Sequence, residues 1–431
     1  MLVDDAQKTT AETPVWARAE AFPQSPSGWG WQDRKLAAHR FDSEEAWLAA
    51  IEKEAHLLDL VWTPQHPRMV VPEEIPELHP LLTRVRAKSI ARERADTQKD
   101  FKLYSSLWII IIGFTAISAL WKVSQAAIEA ESSLQIWGMV ASIFKQLASS
   151  NLVGMLSLGW LIFAFIPWYQ ARKREKEQHL WNASGLAEAI PVLRMEAWLE
   201  RQRSPLTYLI LSLIIAVAAA QLLLTTKTEG GLWNFMAHWQ GIAQAGLFKD
   251  AAHQHEWWRR FTAPFLHGNA LHIFMNGFGL AYLGKRLEVF ARWPHLVLVF
   301  LFAGWAGSEA SFRFIDAPTV GASGALMGWL GFLLVFENLH RPLVPKPATR
   351  RLMGAVLLTG LIGIIGYRYI DNAAHLGGLL AGMAYAFIVF PKSTSSKRPR
   401  ILTSDFAMGT IAIGVLVLCA LWAALKILTV S

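Results

Sequence analysis

The chain has 431 residues, 53% of them hydrophobic, with 20 Trp, a single Cys and a formal net charge of +8. Several nearly uncharged runs of 18 residues or so exclude a wholly soluble protein, because about 20 apolar residues cross a bilayer as a helix. The basic residues lie just outside those runs, which makes them topology signals and not a nucleic-acid patch. The lone Cys419, inside an apolar run, leaves no internal disulfide and no cysteine-based metal site.

Residues 1–100 differ in kind from the rest, with Pro, mixed charge and Trp16, Trp29, Trp31, Trp47 and Trp62. The start, Met1 to Glu12, is polar and acidic and does not read as a cleaved signal. An amphipathic helix is predicted over Ser43 to Leu58, its first residues Asp42-Ser43-Glu44-Glu45 suiting a helix N-terminus. This part reads as a small soluble domain or a set of interfacial segments.

Apolar spans are expected at 104–122, 152–169, 206–225, 269–289, 295–314, 321–339, 352–370, 372–390 and 405–428, which predicts an all-α polytopic membrane protein. Arg84, Arg86, Lys88, Arg92, Arg94 and Lys99 precede the first span and put the N-terminus in the cytoplasm. The connection 123–151 is poor in basic residues, as an outer loop should be, whereas Arg172, Lys173, Arg174, Lys176, Arg201 and Arg203 mark the next as inner. Continued through the chain, the alternation predicts nine spans with the C-terminus outside, although Arg259, Arg260, Arg313 and Arg368 fall on the outer side. The outer connection 226–267, rich in Trp233, Trp239, His253, His255, Trp257 and Trp258, suits a membrane interface.

Polar groups inside spans are costly and mark functional candidates. His272 and Asn276 stand four apart, on one face of one helix. Ser323 lies in Gly321-Ala322-Ser323-Gly324 at the outer, N-terminal end of its span, where unpaired amides and the helix dipole favour a developing oxyanion. His375 begins another span at matching depth, where a neutral imidazole can take a proton from Ser323. Asn276 then suits an oxyanion donor with His272 beside it, and Asp371 reads as a start-of-helix acid and not as a third catalytic member. The competing reading is structural, since Ser, His and Asn in membrane helices mostly pack or bond to neighbouring helices. On residues alone the two readings stand about level.

The stretch from Leu206 to Phe390 resembles the rhomboid intramembrane proteases. Four motifs carry the likeness: Trp258-Arg259; the run from His267 through His272 to Asn276, closed by Tyr282-Leu-Gly and Glu288; Gly321-Ala322-Ser323-Gly324; and Ala374-His375 followed by Gly378 and Gly382. The resemblance implies a six-helix core at 206–391, with two additional transmembrane helices and a basic cytoplasmic loop at 101–205 and one further helix at 392–431. It implies Ser323 as nucleophile, His375 as general base and then acid, and Asn276, His272 and the Ser323 amide as oxyanion hole. It further implies His267 for water retention, Glu288 as a structural tie, and Gly378 and Gly382 as the close approach that sets the Ser–His distance.

Many family members carry a Tyr four residues after the nucleophile, stacked on the catalytic His. This chain has Met327, and Trp329 or Phe278 is expected to substitute. The implied function is a serine endopeptidase acting on transmembrane protein substrates in the bilayer, without cofactor, metal or nucleic acid; the inside-positive pattern and a start unlike a transit peptide suit a bacterial inner membrane. The alternative is an inactive relative that binds or traffics membrane clients. A transporter is disfavoured because the polar cluster lies near one face. A zinc protease is disfavoured because no His-Glu-x-x-His occurs, His253-Gln-His255-Glu256 reading as interfacial loop.

Overall fold

The computed structural model describes residues 13–54, 57–129, 136–149, 151–177, 183–229, 239–253 and 255–429. Two compact units result, one of Gln24–Ile190 with Ile364–Gly366 and one of Met1–Pro23, Pro191–Gly363 and Tyr367–Ser431.

In the first unit, β1 (Trp29–Asp33) pairs antiparallel with β2 (Ala38–Phe41) on one side and β3 (Leu58–Trp62) on the other. Gly30 is required in β1 because a Cβ there would run into the Trp62 ring and the His39 carbonyl. The helix expected after Ser43 is α1 (Glu44–Glu54), with Ser43 Oγ accepting from the Ala46 amide. Trp47 and Ile51, one turn apart on α1, close a core with Trp31, Val61, Ile75, Leu78, Leu81 and Leu82. The described residues of 24–82 therefore form a folded α/β element.

Leu78 and Leu82 lead into α2 (His79–Glu129), 51 residues whose basic first half and apolar second half match the expected first span. The expected outer loop at 123–151 is largely helical instead. α2 runs to Glu129 and α3 (Ile136–Ser149) follows, because Ile136, Val140, Ile143, Phe144 and Leu147 recur at helical spacing. The second expected span is α4 (Asn151–Trp160), a π turn (Leu161–Phe165) and α5 (Ile166–Lys176). The π turn precedes Pro167, which has no amide to continue the regular ladder. Aromatic side chains join these helices to α2. Trp108 Nε1 donates to Ser157 Oγ (3.1 Å), Trp160 Nε1 to Ser105 Oγ (2.9 Å) and Trp168 Nε1 to Gln98 Oε1 (2.8 Å), with Phe101 stacked on Trp168 at 4.7 Å.

After α6 (Ala183–Glu200), the second unit contains α7 (Pro205–Glu229), α8 (Trp239–Ala245), α9 (Arg259–Thr262) and α10 (Ala270–Phe290). It continues with α11 (Trp293–Phe314), α12 (Ser323–Leu339), α13 (Lys346–Ile365), α14 (Asn372–Val389) and α15 (Thr403–Leu428). All nine expected spans fall on helices, and six candidate spans among the described residues are long and apolar enough to cross a membrane. The other three are shorter or more polar: α12 has 17 residues, α10 carries Lys285, Arg286 and Glu288 near its end, and the π turn divides 152–169. The protein is a multi-pass membrane protein, with Phe387 and Ile388 of α14 and Ile411 and Leu418 of α15 facing outward as lipid-facing residues do.

α12 is central, buried almost continuously from Gly324 to Leu333 among α10, α11 and α14. Its inner end is fixed by a buried ion pair, Arg286 Nε and Nη2 to Glu337 at 2.5 and 2.9 Å, with Thr349 Oγ1 of α13 donating to the same carboxylate. α15 lies against α7 and α11, where Gly409 packs on Pro294.

Candidate active site

Glycine governs where α12 and α14 meet. A Cβ on Gly378 would overlap the Gly324 carbonyl oxygen, and one on Gly382 would overlap that of Gly328. The two glycines of α14, one turn apart, thus rest on backbone one turn apart on α12, a contact only residues without side chains permit. Ser323 immediately precedes Gly324, and His375 stands three residues before Gly378. The same approach brings the Ala374 carbonyl, next to His375, within 3.3 Å of where a Gly324 Cβ would lie.

On its other side the Gly321–Gly324 loop meets α10. Gly321 has φ +114°, and a Cβ there would come within 2.6 Å of His272 Cε1 and Nε2 and 3.4 Å of Asn276 Nδ2. Gly321 N also donates to the Ala263 carbonyl (2.9 Å), pinning the loop. Within four residues, this loop touches His272 and Asn276 through Gly321 and the His375 segment through Gly324. The first intrahelical bond of α12 runs from Leu326 N to Ala322 O, so the Ser323, Gly324 and Ala325 amides have no intrahelical acceptor.

α10 starts at Asn269, whose side chain accepts from the His272 amide at 2.8 Å. Asn276 Nδ2 donates to His267 Nε2 (2.9 Å), which puts the His267 ring proton on Nδ1 and leaves Asn276 a second N–H. His267 Nδ1 is buried, and the His267 and His272 rings lie edge to face at 5.0 Å. The His267 backbone is held at both ends by Gln221 of α7, Nε2 to His267 O and Oε1 from His267 N, each at 3.1 Å. Sequence reasoning passed over Gln221, although a glutamine in the middle of an apolar span was a legible signal.

The remaining motif residues act on the scaffold. Arg259 is buried, with Nη1 on the Ala243 and Gly246 carbonyls (3.1 and 2.7 Å), Nε on Glu256 (2.6 Å) and its guanidinium over the Trp258 ring. It gathers the outer connection around one cation. Glu288 accepts from Leu206 N, Thr207 N and Thr207 Oγ1, so a carboxylate of α10 caps the N-terminus of α7. Asp371 Oδ1 accepts from the Ala374 amide, the start-of-helix role expected of it.

Two expectations need correction. Trp329 does not turn toward His375, because it is buried against α11, where Nε1 donates to Leu296 O (3.0 Å) and its ring meets Phe300. Phe278 is 70% exposed on the outer side of α10, where an apolar ring faces lipid. Neither replaces the missing Tyr. Among the described residues, no hydrogen bond joins Ser323 Oγ to the His375 ring. Trp233 lies outside the described residues, whereas Trp257 is exposed and Trp258 stands edge to face with Trp422 of α15.

Residues 254–392 match the family model of the rhomboid domain. This part of the chain belongs to the rhomboid family. The rhomboid domain includes α9 to α14 and every candidate residue except Gln221 of α7. Among curated proteins, the chain is 34% identical over 150 residues to the mitochondrial RHOMBOID-like protein 6 of Arabidopsis thaliana, covering 34% of this chain and 48% of that one. It is 35% identical over 145 residues to the rhomboid protease GluP of Bacillus subtilis, covering 32% and 28%. It is 34% identical over 145 residues to RHOMBOID-like protein 1 of Arabidopsis thaliana, covering 32% and 37%. The chain thus spans half or less of the length of these relatives. They come from plants and from a bacterium, so the likeness does not support the expected bacterial inner membrane over another.

Proposed function

We propose that the rhomboid domain is an intramembrane serine endopeptidase acting on transmembrane protein substrates. In this reading Ser323 Oγ attacks a substrate carbonyl carbon while His375 takes the hydroxyl proton. The oxyanion forms beside the unpaired amide of Ser323, the second N–H of Asn276 and His272. Collapse breaks the peptide C–N bond, His375 returns the proton to the leaving amine, and the acyl group stays on Ser323. A water then attacks the acyl carbon with His375 as base, releasing the acid and restoring the serine. His267, its backbone fixed by Gln221, would hold that water.

The observation that supports this reading best is the four-residue loop that meets His272 and Asn276 at Gly321 and the His375 segment at Gly324. Met327 and the unbonded Ser323–His375 pair favour the alternative, an inactive relative that binds membrane clients. Cleavage of a single-span model substrate in proteoliposomes separates the two. Wild type should cleave, and Ser323→Ala and His375→Ala should not. Undiminished cleavage by Ser323→Ala would refute the mechanism, and an inert wild type would favour the client-binding alternative.

A further inference from the structure

Lys249 has no part in the motifs of the rhomboid domain, yet it lies in a connected polar cluster near the site. It follows α8 in the outer connection, and the neighbouring Leu247 pairs with Thr319, Leu247 N to Thr319 O and Thr319 N to Leu247 O, both 3.0 Å. The ammonium spends all three protons, on Ser311 Oγ of α11 (2.8 Å), Ala317 O (2.5 Å) and Thr319 Oγ1 (2.8 Å). Both hydroxyls also meet Asp371 Oδ2, Thr319 at 2.7 Å and Ser311 more closely still. Asp371 is the residue whose other oxygen caps α14 at Ala374 and whose carbonyl accepts from the His375 amide at 3.0 Å.

Proton counting shows what the cation does. Ser311 and Thr319 lie 2.6 Å apart. If each donates its single proton to Asp371, neither has one left for the other. The carboxylate accepts both hydroxyl protons, and the facing lone pairs of the two oxygens are held together by the N–H donors of Lys249. Replacing the lysine by a side chain without N–H donors, a larger change than loss of one proton from the ammonium, leaves two crowded oxygens beside a carboxylate in a part-buried site, an arrangement that has to open. Opening moves Thr319, two residues before Gly321, and Asp371, four residues before His375.

We propose that Lys249 is a positioning residue, which through Ser311, Thr319 and Asp371 sets the approach of the Ser323 loop to His375. This rests on the protease reading, and the test keeps the two apart. Lys249→Met preserves side-chain length without the donors. Thr319→Val and Asp371→Asn open the same cluster from its other members, and Lys346→Met, an exposed lysine elsewhere, is the control. Purified variants are compared for kcat and KM on the model substrate, for thermal midpoint, and for the His375 imidazole resonance, assigned by its loss in His375→Ala. Lys249→Met should lower kcat about tenfold with KM within about twofold, because the loss falls on the arrangement of reacting groups and not on substrate binding. Its His375 resonance should move as it does in Thr319→Val and Asp371→Asn, and stay put in Lys346→Met. An unmoved resonance in Lys249→Met, or a kcat loss matched by the same loss of folded protein, overturns the proposal. If wild type cleaves nothing, the protease reading fails, while the resonance still decides whether Lys249 controls His375.

Discussion

Two helix pairs in this protein are joined by opposite means. In the first unit, α2 meets α4 and α5 through large side chains, Trp108, Trp160 and Trp168 reaching across to Ser157, Ser105 and Gln98. In the rhomboid domain, α12 and α14 meet through glycine, backbone against backbone, with Gly378 on Gly324 and Gly382 on Gly328. A long aromatic contact can slide or change rotamer and still exclude lipid. A backbone contact has no such freedom. The rigid kind of joint lies beside Ser323 and His375, which the proposed mechanism needs to meet, and the adaptable kind joins helices for which no such approach is proposed.

The difference can be broken first at Gly378. Gly378→Val places side-chain atoms where the Gly324 carbonyl lies, and overpacking of this kind should cost about 3 kcal/mol and abolish activity, read by thermal denaturation in detergent and by substrate cleavage. Glu288→Ala tests a joint of intermediate rigidity. It strips three hydrogen bonds from the start of α7 and should cost about 2 kcal/mol with partial activity retained, measured in the same melts. Trp168→Ala should loosen α5 from α2, seen as faster proteolysis of the first unit, while cleavage activity stays within about twofold because no atom of the site moves.

A pH dependence is also expected at the outer loop. Burial pushes the Lys249 ammonium down from 10.5 to about 8, against the pull of Asp371 and Asp316. Below pH 8 both folded and unfolded chains hold this proton, and the burial penalty acts in full. Between pH 8 and 10.5 only the unfolded chain holds it, so stability should rise across that window relative to Lys249→Met. A wild-type melting curve that falls in parallel with the variant's over this range would show that the ammonium is not desolvated.

The site was legible to the degree that its chemistry is local in sequence. Polar residues in apolar runs pointed to His272, Asn276, Ser323 and His375, and one helical turn placed the first two on one face. The loop Gly321–Gly324 showed its small residues, but not that Gly321 would lie against His272. Gln221 and Lys249 were missed for different reasons. Gln221 was visible as a glutamine in an apolar span, whereas nothing about Lys249 in an outer loop foretells partners at Ser311, Thr319 and Asp371. The nine apolar runs all became helices, since length and hydropathy suffice to specify a span. The three-stranded sheet of residues 29–62 was invisible because its strands are four or five residues long and its aromatic spacing competes with helix and interface readings. The role assigned in advance to Trp329 failed because its indole found a carbonyl on α11, which spacing along α12 cannot reveal.

The central claim is that His375 activates Ser323. Its most direct test is labelling of the purified protein with a fluorophosphonate probe, with the modified residue identified by mass spectrometry of its peptides. A label is expected on Ser323 in wild type, none in Ser323→Ala, and a rate at least about a hundredfold lower in His375→Ala. Labelling of Ser323 at the wild-type rate in His375→Ala, or a label carried by a different serine, would contradict it.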